Sequence, residues 1–226
     1  MASRIGILLS GCGVFDGSEI HEAVNILIAL DRRGAQTICI APDIPQVAAV
    51  NHITKQPEPQ PRRVLHESAR IARGSIRDLA AVKADELDAL IFPGGFGAAQ
   101  NLSTFAADGP NCTVNPLVQR LMLDMHAAHK PIGLACIAPV LAARVFGARN
   151  LRPILTIGTD PATAAAITAM NAQHRNTGPT EVCIDPDNRL VTTPCYMTAA
   201  GPWAVYQGAD KMVEEVLRLA ADEMTS

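Results

Sequence analysis

Aromatic residues are scarce, at 4% of the 226 residues, so any core has to be built from Ala, Ile, Leu and Val. Positive charge is not in surplus either: Lys plus Arg is 19 against 22 for Asp plus Glu, a formal charge of −3. That balance removes nucleic acid and anionic membrane as partners recruited by charge. No stretch approaches the ~18 apolar residues of a membrane span. The opening run Ile5-Gly6-Ile7-Leu8-Leu9 stops at Ser10-Gly11-Cys12-Gly13, too short for the apolar part of a secretory leader. The six cysteines (Cys12, Cys39, Cys112, Cys136, Cys183, Cys195) are dispersed, with no C-x-x-C pair among them. A disulfide framework is not expected in a chain of this length, and zinc has no local ligand spacing. The expected location is therefore a reducing cytoplasm.

What is present is an alternation of short β-type runs with longer helical ones. Arg4–Ser10 reads as a strand buried on both faces, followed by a helix that Ser18 can cap. Its apolar positions Ile20, Ala23, Val24, Leu27, Ile28 and Leu30 fall at helical spacing. Arg32-Arg33 supplies a cationic last turn and Gly34 the stop. Gln36–Ala41 is a second strand. From Pro42 to about Ala80 the pattern loosens around Pro42, Pro45, Pro57, Pro59 and Pro61, with one short helix at Arg63–Arg73. This segment reads as an excursion from one domain spanning 1–226. Asp88–Phe92 is a third strand, Asn115-Pro116 opens a helix to about His129, and Pro131–Ala135 is a fourth strand. A helix to about Phe146, a strand at Ile154–Ile157 and a helix at Pro161–Asn171 follow. Glu181–Asp185 and Arg189–Thr193 form a hairpin, and a last helix covers about Val205–Glu223. The fold class is α/β: a doubly wound, mostly parallel sheet with helices on both faces. Right-handed crossovers bring the strand C-termini to one edge, where ligands bind. The exits at Ser10-Gly11-Cys12-Gly13, Ala41-Pro42, Pro93-Gly94-Gly95 and Cys136 therefore matter most.

Cys136 follows Gly133-Leu134-Ala135 and precedes Ile137-Ala138-Pro139, so it is expected to make the strand-to-helix turn itself. Such an elbow is strained and presents its side chain at the sheet edge. A helix N-terminus at that point favours a thiolate. Cys39 and Cys183 read as core, Cys112 and Cys195 as loop residues without a partner, and Cys12 as a residue of the functional edge that is either structural or part of the site. Glu22, one turn into the first helix, is either a helix-dipole carboxylate or a group pointing over the strand ends. Asp16 and Glu19 are better placed for the dipole role. Gly94-Gly95 exposes backbone N–H groups suited to an oxyanion hole, or is simply a tight strand exit. None of the six histidines adjoins Cys136 in sequence.

These pieces together resemble the ThiJ/PfpI superfamily, within the class I glutamine-amidotransferase-like fold. The resemblance is carried by Glu22 twelve residues before Gly34, by Phe92-Pro93-Gly94-Gly95-Phe96-Gly97-Ala98-Ala99-Gln100-Asn101-Leu102 and by Ala135-Cys136-Ile137-Ala138-Pro139. The segment Ser10–Glu22, with Asn51-His52, Ala69-Arg70-Ile71 and Val191-Thr192-Thr193-Pro194, is similar to the ElbB branch, the isoprenoid-biosynthesis amidotransferase-like proteins. It implies a nucleophilic Cys136, a partner carboxylate at Glu22, backbone donors near Gly95 and Ile137, a homodimer, and glutathione-independent glyoxalase chemistry on methylglyoxal or glyoxal. The partner is then a small-molecule carbonyl substrate, and no metal or organic cofactor is required.

Three departures narrow this. Family peptidases carry His directly after the nucleophile, where this chain has Ile137. Many family glyoxalases carry His after the next strand, where it has Thr156-Ile157-Gly158-Thr159, and the amidotransferase His-x-Glu pair is missing near the C-terminus. Glutamine hydrolysis and proteolysis are not expected, and glyoxalase turnover is expected to be low. Two other classes compete. A dinucleotide site at Gly11–Gly17 has the wrong glycine spacing and is crowded by Asp16, Glu19 and Glu22. A non-enzymatic redox sensor or chaperone-like protein would keep a reactive Cys136 without turnover.

Overall fold

The computed structural model describes residues 2–198 and 201–223. In chain order the first half contains β1 (Arg4–Leu8), α1 (Ile20–Asp31), β2 (Gln36–Ala41), β3 (Ala49–Val50), β4 (Pro57–Glu58), α2 (Val64–Ile71), β5 (Ile76–Asp78), β6 (Ala89–Phe92), α3 (Phe96–Gln100), α4 (Phe105–Asp108) and α5 (Pro116–Ala127). The second half contains β7 (Ile132–Ala135), α6 (Pro139–Gly147), β8 (Ile154–Leu155), α7 (Pro161–Ala169), β9 (Gln173–His174), β10 (Cys183–Asp185), β11 (Leu190–Thr193) and α8 (Pro202–Glu223).

Seven strands form the main sheet in the order β10-β11-β7-β6-β1-β2-β5. Every pairing is parallel except β10 with β11. Strand alternation divides the core in two. Ile5, Ile7 and Leu9 face α1 and α8, whose Ala23, Ile26, Leu30, Met212 and Val216 cover them. Leu8, Leu90, Phe92 and Leu134 face the other layer, built by α5, α6 and α7 with Met122, Leu141, Phe146 and Ile167. Each large side chain fully buried in this way contributes about 1.5–3 kcal/mol. The doubly wound α/β architecture read from the sequence is the architecture found. No helix among the described residues is long and apolar enough to cross a membrane.

Local details differ from the sequence reading for identifiable reasons. Glu19, not Ser18, caps α1, its carboxylate accepting from Glu22 N at 2.7 Å. Ser18 Oγ turns inward instead and accepts from Ser10 N at 2.9 Å. Arg33 lies beyond the last turn yet still donates to the Ala29 carbonyl, while its other bonds go to Asp210 of α8. Residues 42–80 do not lie wholly outside the sheet, because β5 is its edge strand. The rest of that segment braces the loop between β1 and α1. Val50 N donates to Asp16 Oδ2 at 2.8 Å, and Gly11 N donates to Ser68 Oγ at 2.9 Å. The strand expected at Ile154–Ile157 stops at Leu155 and pairs with β9, outside the main sheet. Helix α8 starts at Pro202, three residues ahead of Val205, with proline in the first helical position where its missing N–H costs nothing.

Candidate active site

β11 runs parallel to β7, with Thr193 opposite Ala135, so the chain leaves both strands at the same edge. The exits of β6 and β1 meet them there. Gly94 O accepts from Glu19 N, Val14 O from Phe96 N and Gly17 O from Gly97 N, which binds the turn after β6 to the loop after β1. Asn101 Nδ2 adds bonds to the Ser10 and Asp16 carbonyls. Gly95 has φ of +95°, and a β-carbon there would fall 2.4 Å from both Glu19 N and Gly17 O. Only glycine fits that crossing.

Cys136 follows β7 with φ of +59°, an uncommon conformation for a side-chain-bearing residue. The strained elbow expected from the sequence is present, with one correction. Cys136, Ile137 and Ala138 form a turn, and α6 begins only at Pro139. Cys136 therefore stands ahead of the helix end. Its thiol is buried, and the backbone N–H groups of Gly95 and Ile137 face it and favour the thiolate.

Glu22 is the other half of the arrangement. It is fully buried and points over the strand ends, not along the helix dipole. Oε2 accepts from Gly94 N at 2.9 Å and Oε1 from Tyr196 N at 3.3 Å, and the carboxyl shares a hydrogen bond with the Cys136 thiol. A β-carbon at Gly94 would lie 2.3 Å from Cys136 Cβ and 2.6 Å from Glu22 Oε2, so the two side chains close around that glycine. Gly94 N serves Glu22, which leaves Gly95 N as the donor facing sulfur.

The electrostatics depart from the sequence reading. Burial, with the nearby charge of Glu19, pushes the Glu22 carboxyl up to about 8. Burial and the charge of Glu22 push the Cys136 thiol upward too, against the two backbone donors. The expected helix-induced thiolate is thus outweighed by desolvation. Near neutral pH the pair holds its protons, and one proton taken from it is shared between oxygen and sulfur.

A cavity of about 460 Å³ opens on Cys136, walled by Val14, Phe96, Phe105, Ala106 and Met197 with Gly95, Cys136 and Ile137 at its base, and Glu22 lies buried behind the sulfur. Of the residues singled out in the sequence, Cys136, Glu22, Gly95 and Ile137 come together, while the Ala41-Pro42 exit does not line the cavity. Cys12 bridges to Ser18 and is not a wall residue. Tyr196 and His21 escaped sequence reasoning: His21 Nδ1 lies 2.6 Å from Tyr196 Oη, and Tyr196 lines the cavity. Among the described residues no histidine lines the cavity. Among the described residues no group of three or more His, Cys, Asp or Glu is placed to hold a metal ion.

No family model matches the chain. It is 48% identical over 228 residues to the human glutamine amidotransferase-like class 1 domain-containing protein 3, mitochondrial, covering 96% of this chain and 84% of that one. It is 47% identical over 227 residues to the rat ES1 protein homolog, mitochondrial, with coverage of 96% and 84%. The crystal structure of an isoprenoid biosynthesis protein with amidotransferase-like domain from Ehrlichia chaffeensis matches with a TM-score of 0.87 at 32% identity, over 95% of this chain and 99% of that one. Drosophila melanogaster DJ-1beta shares the fold alone, with a TM-score of 0.57 at 19% identity over 99% and 98% of the two chains. The mitochondrial relatives overturn the cytoplasmic placement. Dispersed cysteines report a reducing environment without distinguishing one reducing compartment from another.

Proposed function

The chain belongs to the ES1 group of glutamine amidotransferase-like class 1 domain proteins, on the ThiJ/PfpI fold, and on that premise we propose a glutathione-independent glyoxalase-type activity. Small 2-oxoaldehydes such as methylglyoxal and glyoxal are converted to hydroxy acids. The observation that carries this reading is the buried proton-sharing pair of Cys136 and Glu22, set beneath an apolar cavity with two backbone donors facing the sulfur.

The thiolate adds to the aldehyde carbon, and the Gly95 and Ile137 N–H groups hold the oxygen that becomes negative. The proton of Glu22 completes the hemithioacetal. Glu22 then takes the proton from the former aldehyde carbon and returns it to the neighbouring carbon, while the hydroxyl proton of the hemithioacetal passes to the neighbouring oxygen, leaving a thioester of the hydroxy acid. Water cleaves that thioester and restores the thiol. The net change is addition of one water to the 2-oxoaldehyde, with no electrons gained or lost and no metal or organic cofactor in any step. A carboxyl pushed up to about 8 suits both directions of the proton transfer near physiological pH. Peroxide sensing, the other reading of Cys136, draws on the same thiolate but leaves the apolar cavity above the sulfur without a role.

Steady-state turnover of methylglyoxal by the purified protein is the test. Turnover that disappears in Cys136→Ser supports the reading, and turnover equal in both proteins overturns it. A homodimer belongs to the same proposal, and light scattering giving 23.9 kDa, the mass of one chain, would contradict it.

A further inference from the structure

The cavity above Cys136 is much larger than the substrates just named. Its volume of about 460 Å³ lies within the ~300–1,000 Å³ of ordinary small-molecule sites. Methylglyoxal has only five non-hydrogen atoms and glyoxal four. Beyond the sulfur the walls are Val14, Phe96, Phe105, Ala106 and Met197, with the hydroxyl-bearing Thr163 and Tyr196 as the polar residues of the lining. Among the described residues no charged side chain lines it. Phe96, one of the wall residues, is 52% exposed and so presents aromatic surface to solvent.

We propose that the substrate of this site carries an uncharged apolar substituent, of about phenyl to hexyl size, on its 2-oxo carbon. The proposal rests on the glyoxalase reading for the reacting end and on the cavity walls for the tail. A phosphate or carboxylate tail would lose its hydration among these side chains and find no cation in exchange. An apolar tail gains about fourfold in affinity for each methylene it buries. The chemistry at the aldehyde is unchanged: sulfur bonds to the aldehyde carbon, Glu22 moves one proton between the two carbons as the hydroxyl proton passes between the two oxygens, and one water is consumed.

The experiment has two arms, one of which does not need turnover. In the first, Cys136 is alkylated with chloroacetamide, N-benzyl-chloroacetamide and chloroacetate, followed by peptide mass spectrometry. In each case the thiolate displaces chloride, an S–C bond replaces the C–Cl bond, and the thiol proton goes to buffer. Rates are taken relative to the thiol of glutathione, which removes the reagents' intrinsic differences. The expected result is a preference of at least about tenfold for the benzyl reagent over chloroacetamide, with chloroacetate slowest. Ala106→Asp places a charge on the wall at an exposed position that does not burden folding, and should abolish the preference. Phe105→Asp, at the first position of α4, should do the same. Relative rates equal to those of glutathione, or a preference that survives both variants, would overturn the proposal. In the second arm kcat/KM is compared for phenylglyoxal and glyoxal, with a ratio expected to fall at least about tenfold in Ala106→Asp. A benzyl preference without turnover of either aldehyde upholds the apolar site and overturns the glyoxalase reading. Turnover of both aldehydes without any preference does the reverse.

Discussion

Two neighbouring parallel strands, β7 and β11, each deliver a buried cysteine in a left-handed backbone conformation to the same sheet edge. Cys136 has φ of +59° and Cys195 +44°. Burial pushes both thiols upward, and each feels the charge of Glu22. Their surroundings nonetheless differ. Cys136 keeps 7% of its surface exposed and lines the cavity, whereas Cys195 is at 0% and does not line it. Two backbone N–H groups and the Glu22 carboxyl bond to the sulfur of Cys136. The turn that carries Cys195 contributes something else: Tyr196 N, one residue on, donates to Glu22. A strained cysteine at a strand end is therefore not sufficient to make a reactive site. Access, two backbone N–H groups facing the sulfur and the direct Glu22 partner separate the two, since among the described residues the sulfur of Cys195 meets only the Thr193 hydroxyl.

Exchanging each thiol tests this comparison most severely. Cys136→Ala is expected to reduce methylglyoxal turnover by more than about 10⁴-fold, since no other group forms the hemithioacetal. Cys195→Ala should leave kcat within about threefold, because its side chain lies behind the site. Equal losses in the two variants, measured in the same assay, would erase the distinction. Next in size is Glu22→Gln, expected to cost about 10²–10⁴-fold in kcat, the usual worth of a positioned acid–base group. Cys136 should remain alkylable in that variant. Turnover within threefold of the unaltered protein would remove Glu22 from the mechanism.

Smaller again is the effect of the glycine that separates the two partners. In Gly94→Ala the new methyl group would fall against Cys136 Cβ and Glu22 Oε2 at 2.3 and 2.6 Å. Forcing it in should cost about 1–3 kcal/mol of stability, read by denaturant unfolding. An unchanged midpoint would mean that Cys136 and Glu22 do not pack around Gly94 as closely as described.

Much of this arrangement was legible in the sequence, and the parts that were not share a cause. β1, β6 and β7 are short apolar runs that lead into Ser10-Gly11, Pro93-Gly94 and Cys136, and Asn115-Pro116 does cap α5, with Asn115 Oδ1 accepting from Leu117 N. These are local signals. β5 reads Ile-Arg-Asp, too short and polar to announce a strand, and its place depends on pairing with β2. The hairpin of β10 and β11 was readable, but its register beside β7 was not, so Cys195 passed as a loop residue without a partner and Tyr196 drew no reading. The strand-to-helix turn drew Cys136 out, whereas spacing left Glu22 open between two roles and the family resemblance implied its partnership with the thiol. The raised protonation of the pair could not be read that way, because burial is a property of the assembled core and the helix end is the only term visible locally.

The protonation of the pair supplies the last prediction and the finest test of the difference between the two cysteines. With Glu22 raised to about 8 and the Cys136 thiol raised as well, the resting site at pH 6–7 carries both protons. The reacting form has lost one, the remaining proton being shared between carboxyl and sulfur. Its fraction grows about tenfold for each pH unit below the first ionisation, so kcat/KM should rise with pH up to about 8 and then level off. An ordinary carboxylate near 4.5 beside a thiolate already formed would instead give a flat profile across neutral pH. Stability should move the opposite way. The native state holds on Glu22 a proton that the unfolded chain releases near 4.5, so the native state binds more protons between 4.5 and about 8. Stability therefore falls as pH rises through that window, and Glu22→Gln should flatten the decline. Cys195→Ala should alter neither profile between pH 6 and 8, because its thiol is raised well above 9 and does not ionise there. A rate profile that is flat from pH 6 to 8, together with unfolding midpoints that do not fall over the same interval, would mean that Glu22 is charged at rest, and that the proton it is proposed to lend is not there.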